Sequence, residues 1–180
     1  MNNQQIVIMG FMGTGKTTVA VELARKLNCR AADLDEFIAQ RETRGPKELI
    51  EQDGEEAFRR IETKMLHDIL MEGSARVLAV GGGAWTIAEN RKMITEHGAF
   101  TVWLDAPFEL CWKRIEASLE ARPLARSREM AQTLYAARRP IYALADARIP
   151  VYENESVEEI ATKVARAVGD EEKETESAHQ

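Results

Sequence analysis

The chain has 180 residues, 44% of them hydrophobic, and 30 acids against 24 bases give it a formal net charge of −6. That length and apolar content suit one domain with a substantial core, while the acidic balance argues against general affinity for nucleic acid or membrane surfaces. No stretch approaches the roughly 18 apolar residues of a membrane span, the start "MNNQQ" lacks the basic character of a secretory signal, and Cys29 and Cys111 stand alone, without the spacing of a metal cluster or disulfide framework. The chain therefore reads as a cytoplasmic globular protein.

The first predicted element is a strand at 5–9, "QIVIM", followed at once by "GFMGTGKTT" and a predicted helix over 16–28 whose Val19, Leu23 and Leu27 recur at helical spacing. Gly10, Gly15, Lys16 and Thr17 fit G-x-x-x-x-G-K-[ST] between strand and helix. In that context backbone N–H groups wrap phosphates, the lysine reaches the outer phosphates and the hydroxyl reaches Mg²⁺. The helix N-terminus adds its dipole to the same anion site.

A second strand is predicted at 30–33 and a helix at 35–43, with Asp33 and Asp35 at the junction. Beside a phosphate-bound Mg²⁺, one carboxylate can hold the metal's waters while the other accepts a proton from an attacking hydroxyl. Helix capping is the ordinary alternative for either. A helix over 55–72 and a strand at 76–80 follow, the latter ending in Gly81, Gly82 and Gly83. Three successive glycines are costly in conformational entropy, which points to close backbone approach to a ligand. The remaining elements are helices near 87–97, 107–119, 128–139 and 156–168 and strands at 99–104 and 147–151. This alternation predicts a parallel sheet covered by helices, with ligands outside the carboxyl ends of its strands. Arg114, Arg122, Arg126, Arg128, Arg138 and Arg139 crowd into 114–139, which implies a positive cleft for an anion. The Pro-interrupted stretch 119–129 reads as a lid closing over phosphates. Residues 170–180 carry five acids and one lysine and read as a solvated, disordered tail.

The motifs "GFMGTGKTT", "DLD", "DGEEAFRRIE", "GGGA", "RPL" and "RRPIYALAD", in this order and spacing, resemble the shikimate kinases, small P-loop enzymes akin to nucleoside-monophosphate kinases. The resemblance implies an α/β P-loop NTPase fold of three layers, with a five-stranded parallel sheet of order 2-3-1-4-5. It places one kinase domain over 1–168, a lid at about 118–128, a substrate-binding region at about 35–62 and an acidic tail at 169–180. It implies transfer of the ATP γ-phosphoryl group to the 3-hydroxyl of shikimate, with Mg²⁺ as cofactor, ATP and shikimate as partners and a monomer as the working unit. Gly13, Thr14, Gly15, Lys16, Thr17 and Thr18 would hold the nucleotide. Thr17 and Asp33 would serve the metal, and Asp35 would sit by the attacking hydroxyl. Arg59, Arg138 and the amides of Gly81, Gly82 and Gly83 would hold shikimate, with Arg122 on the transferring phosphate and Arg114 stacked on adenine. Four features depart from the family pattern, one of them an Arg114–Arg122 spacing about one residue longer than usual. Ala125 follows "RPL", "GPK" occupies 45–47, and Trp85 stands after the glycines where an aliphatic residue is usual; Trp85 is read as core. A kinase of gluconate and a nucleotide-binding module without turnover are the alternatives, whereas a GTP switch lacks its N-K-x-D.

Overall fold

The computed structural model describes residues 4–117 and 127–169. The predicted lid residues 118–126, with Arg122 and Arg126, and the tail 170–180 lie outside the described residues. Five strands form one sheet in the order β2-β3-β1-β4-β5, every neighbouring pair parallel, in agreement with the expected 2-3-1-4-5. They are β1 (Ile6–Gly10), β2 (Ala31–Asp33), β3 (Val77–Ala79), β4 (Phe100–Asp105) and β5 (Ala147–Pro150). β1 lies at the centre, buried along its whole length, as expected for a parallel strand covered on both faces.

The helices are α1 (Lys16–Lys26), α2 (Leu34–Glu42), α3 (Pro46–Asp53), α4 (Glu55–Glu72), α5 (Ala88–Glu96), α6 (Phe108–Ala117), α7 (Arg128–Tyr142) and α8 (Val157–Val168). α1 packs along β1, β2 and β3 and against α8, while α4 packs against α2, α3 and α5. A single large core joins sheet and helices through residues such as Ile6, Ile8, Leu23, Leu66, Leu78 and Leu104. The strand predictions hold within a residue or two at each end.

Two helices differ from the sequence expectation. Pro46–Asp53 is helical although "GPK" reads as loop punctuation; Pro46 occupies the first turn, where its missing N–H costs no hydrogen bond. α7 continues through Pro140 to Tyr142, beyond its predicted end at 139. Pro140 lacks the N–H that would donate to the Ala136 carbonyl, and the helix ends two residues later.

Candidate active site

The carboxyl ends of β1, β2 and β3 open into a cleft of about 1040 Å³. At its floor the β1–α1 loop turns through Gly13 (φ +81°), where a Cβ would stand 2.7 Å from the Cys111 carbonyl oxygen, so only glycine lets the loop lie on α6. Buried Thr14 closes the loop on itself, its hydroxyl donating to the Phe11 carbonyl at 2.8 Å. Lys16 Nζ donates to the same carbonyl at 3.0 Å. α1 begins after Gly15 with no side-chain cap and no acid in its first turn, which leaves its leading amides and positive dipole end to an anion.

Asp33 ends β2 and caps α2. Its Oδ1 accepts from the Asp35 amide at 2.8 Å, and its Oδ2 accepts from the Thr17 hydroxyl at 2.5 Å. The capping alternative therefore holds for Asp33, and the second oxygen of the same carboxylate meets the P-loop threonine. No group of three or more His, Cys, Asp or Glu that could hold a metal exists among the described residues. A hydroxyl and one carboxylate suit Mg²⁺, which keeps several waters and takes other ligands from phosphates.

The glycine triplet follows β3, and none of its members has a positive φ. Space decides the residue type instead. A Cβ on Gly81 would stand 3.3 Å from both Asp35 Oδ1 and Glu62 Oε1, one on Gly82 would stand 2.7 Å from the Tyr142 hydroxyl, and one on Gly83 would fall on the Arg59 guanidinium. The turn's carbonyls are all engaged. Gly81 O accepts from the Ala84 amide, and Gly82, Gly83, Ala84 and Trp85 accept from the side chains of Tyr142, Thr86, Asn90 and Arg91. The amides of Gly81, Gly82 and Gly83 donate to no group among the described residues. Fixed carbonyls and three unengaged amides form a site for an acceptor oxygen.

Two guanidiniums flank this turn. Arg59, on α4, pairs with Glu62 at 2.6 Å and Glu55 at 3.2 Å. Arg138, on α7, is 8% exposed and has no carboxylate within ion-pair distance among the described residues. Glu62 escaped the sequence reading. It sits on the buried stripe of α4 with Phe58, Met65, Leu66 and Ile69, and a glutamate at such a position, three residues after an arginine, is the signal that could have found it. Burial pushes its carboxyl up to about 7; Arg59 opposes this, and the Asp35 charge adds to it.

The cleft brings together Gly13, Gly15, Lys16, Thr17, Thr18, Asp33, Asp35, Arg59, Gly81, Gly82, Gly83, Arg114 and Arg138, while Thr14 lies buried behind it. Arg114 donates to the Gly13 and Thr14 carbonyls at 3.1 and 3.4 Å, which ties α6 to the P-loop. Trp85 is 2% exposed, as its reading as core requires.

A family model described as shikimate kinase matches residues 12–169. A shikimate kinase of Cereibacter sphaeroides is 40% identical over 166 residues, covering 91% of this chain and 81% of that protein. The structure of shikimate kinase from Acinetobacter baumannii in complex with shikimate superposes with a TM-score of 0.83 at 30% identity, covering 95% of this chain and 96% of that one. A gluconokinase from Sinorhizobium meliloti, at 16% identity and a TM-score of 0.62 over 93% of this chain and 92% of that one, shares the fold alone. A P-loop, an acid pair and a glycine turn between two arginines, on this sheet order and with these relatives, place the chain in the shikimate kinase family.

Proposed function

We propose that this cleft transfers the γ-phosphoryl group of ATP to the 3-hydroxyl of shikimate, a step toward aromatic amino acids. The observation that carries this reading is the pairing of a phosphate-binding loop with an acceptor site that combines three amides and a buried guanidinium that, among the described residues, have respectively no acceptor and no ion-pair partner. Arg138 and Arg59 suit a carboxylate, because a planar guanidinium donates to it in a fork. The glycine amides hold acceptor oxygens, and Asp35 lies beside Gly81, its Oδ1 3.3 Å from where a Cβ on that residue would stand. In the reaction the acceptor oxygen bonds to the γ-phosphorus as the bond to the β–γ bridging oxygen breaks. ADP leaves with that electron pair, and the hydroxyl proton passes to Asp35.

The P-loop amides and Lys16 hold the β- and γ-phosphates in line, which supplies most of the catalysis in a transfer that needs positioning and charge neutralisation. Thr17 and Asp33 would hold Mg²⁺ and its waters, and the ion would add positive charge at the phosphates. Arg122 retains its proposed place on the transferring phosphate, and Arg114 its place by the nucleotide. Use of ATP supports a cytoplasmic location.

The test is ATP consumption with shikimate, gluconate and a nucleoside monophosphate side by side, with and without Mg²⁺. Shikimate should drive turnover at least about 10³-fold above the others, a ratio expected when buried polar groups would otherwise be left unpaired. Equal turnover with gluconate would overturn the assignment.

A further inference from the structure

The proposed acceptor site is assembled from two elements far apart in sequence: the amides of Gly81–Gly83 after β3, and the Arg138 guanidinium on α7. Both must meet one small molecule, and an error near 1 Å between them costs binding and rate. We infer that Trp85 and Tyr142 are positioning residues that bolt the glycine turn to α7 and so set the affinity for the acceptor. This inference rests on the reading of the acceptor site given above.

Two hydrogen bonds cross the gap, in opposite directions. The Tyr142 hydroxyl donates to Gly82 O at 2.9 Å, across 60 residues of sequence. The Trp85 indole N–H donates to Ile141 O at 3.0 Å, across 56 residues. Ile141 and Tyr142 follow Arg138 by three and four residues, so both bolts enter α7 in the turn next to the guanidinium. They also enter the glycine turn on either side of Gly83. Trp85 is 2% and Tyr142 1% exposed, so water does not compete for either bond.

The remaining ties of the turn, from Thr86, Asn90 and Arg91, come from residues immediately downstream and fix its shape without fixing its distance from α7. Ile141 O also accepts from the Leu144 amide at 3.2 Å. Loss of the indole donor therefore leaves that carbonyl partnered and the helix end intact. An aliphatic residue at 85 could fill the space but could not donate, which gives the departure of this chain from the family pattern a physical role.

The test uses Trp85→Phe and Tyr142→Phe, each of which removes one donor and keeps a ring, with Arg138→Met as the reference. Shikimate binding is measured by calorimetry without nucleotide, and KM for each substrate by initial rates. Each Phe variant should raise the shikimate Kd and KM about three- to tenfold, the equivalent of one lost net hydrogen bond, while KM for ATP stays within about twofold. An unchanged shikimate Kd in both Phe variants, while Arg138→Met weakens it, overturns the bolt and leaves the acceptor site standing. An unchanged Kd in Arg138→Met overturns both. Parallel losses for ATP and shikimate would mark a general structural role and also overturn the inference. Tyr142→Phe removes a single oxygen atom, and it decides the question alone if Trp85→Phe fails to fold.

Discussion

Replacing Arg138 with methionine should move stability and acceptor affinity in opposite directions. The side chain is 8% exposed, the Tyr142 hydroxyl lies nearby beside Gly82, and no ion-pair partner is present among the described residues. A buried ion left without a counter-ion costs several kcal/mol, part of which the hydroxyl and the field of nearby Glu62 offset. Methionine is similar in length and carries no charge, so the free protein should gain about 1 kcal/mol. For a chain of this size that corresponds to a rise in Tm of about 2–4 °C.

The same change removes one partner of the acceptor's carboxylate. Charged hydrogen bonds in a desolvated site are worth about 2–4 kcal/mol, so KM for shikimate should rise about 30- to 900-fold. KM for ATP should change little, because the nucleotide's phosphates are held by the P-loop and Lys16. Thermal unfolding without ligands and initial rates with each substrate varied are the two measurements. A lower Tm together with an unchanged KM for shikimate would refute the reasoning and make Arg138 a structural ion. Equal damage to both KM values would move it out of the acceptor site.

Asp35→Asn should lower single-turnover phosphoryl transfer at saturating substrates by about 10²–10⁴-fold, the usual range for a lost general base, and added Mg²⁺ should not restore it. Asp33→Asn keeps an oxygen for the α2 cap but loses the charge beside Thr17, so its defect should shrink as Mg²⁺ is raised; a wild-type rate in Asp35→Asn would end the catalytic assignment. Gly83→Ala places a Cβ on the Arg59 guanidinium, and calorimetry should show shikimate binding weakened at least about tenfold, with unchanged binding refuting the crowding argument. Glu62 binds its proton more tightly when folded, with its carboxyl pushed up to about 7, so its stabilising effect is complete below the ordinary carboxylate range and is lost as pH rises through 7. Between pH 5 and 8 the unfolding free energy of the wild type should fall relative to Glu62→Gln by on the order of 2–3 kcal/mol, and parallel pH curves would refute that sign.

The parts of this site written locally in the chain were legible in the sequence. The P-loop, the Asp33–Asp35 junction and the glycine triplet each lie within a few residues, directly after a strand, and parallel strands deliver such segments to one edge of the sheet. The strand order itself came from resemblance, since alternation of strands and helices is compatible with several orders. α3 was missed because its eight residues bury only Leu49, too little to mark an apolar stripe, while "GPK" carries the punctuation of a loop.

What sequence reading could not supply was non-local pairing. The glycines were expected to make room for a ligand, but part of the crowding comes from the protein's own Asp35, Glu62, Arg59 and Tyr142, which converge on the turn from α2, α4 and α7. Each is polar and crowds a backbone without side chains, so the triplet brings acid, base and amide closer together than any Cβ would allow. Asp33 shows the same economy: its junction position suggested either a metal-linked carboxylate or a helix cap, and its two oxygens face both Thr17 and the α2 amides. Alternatives weighed against each other along the sequence need not compete in the structure, because a carboxylate has two oxygens and a turn has two sides.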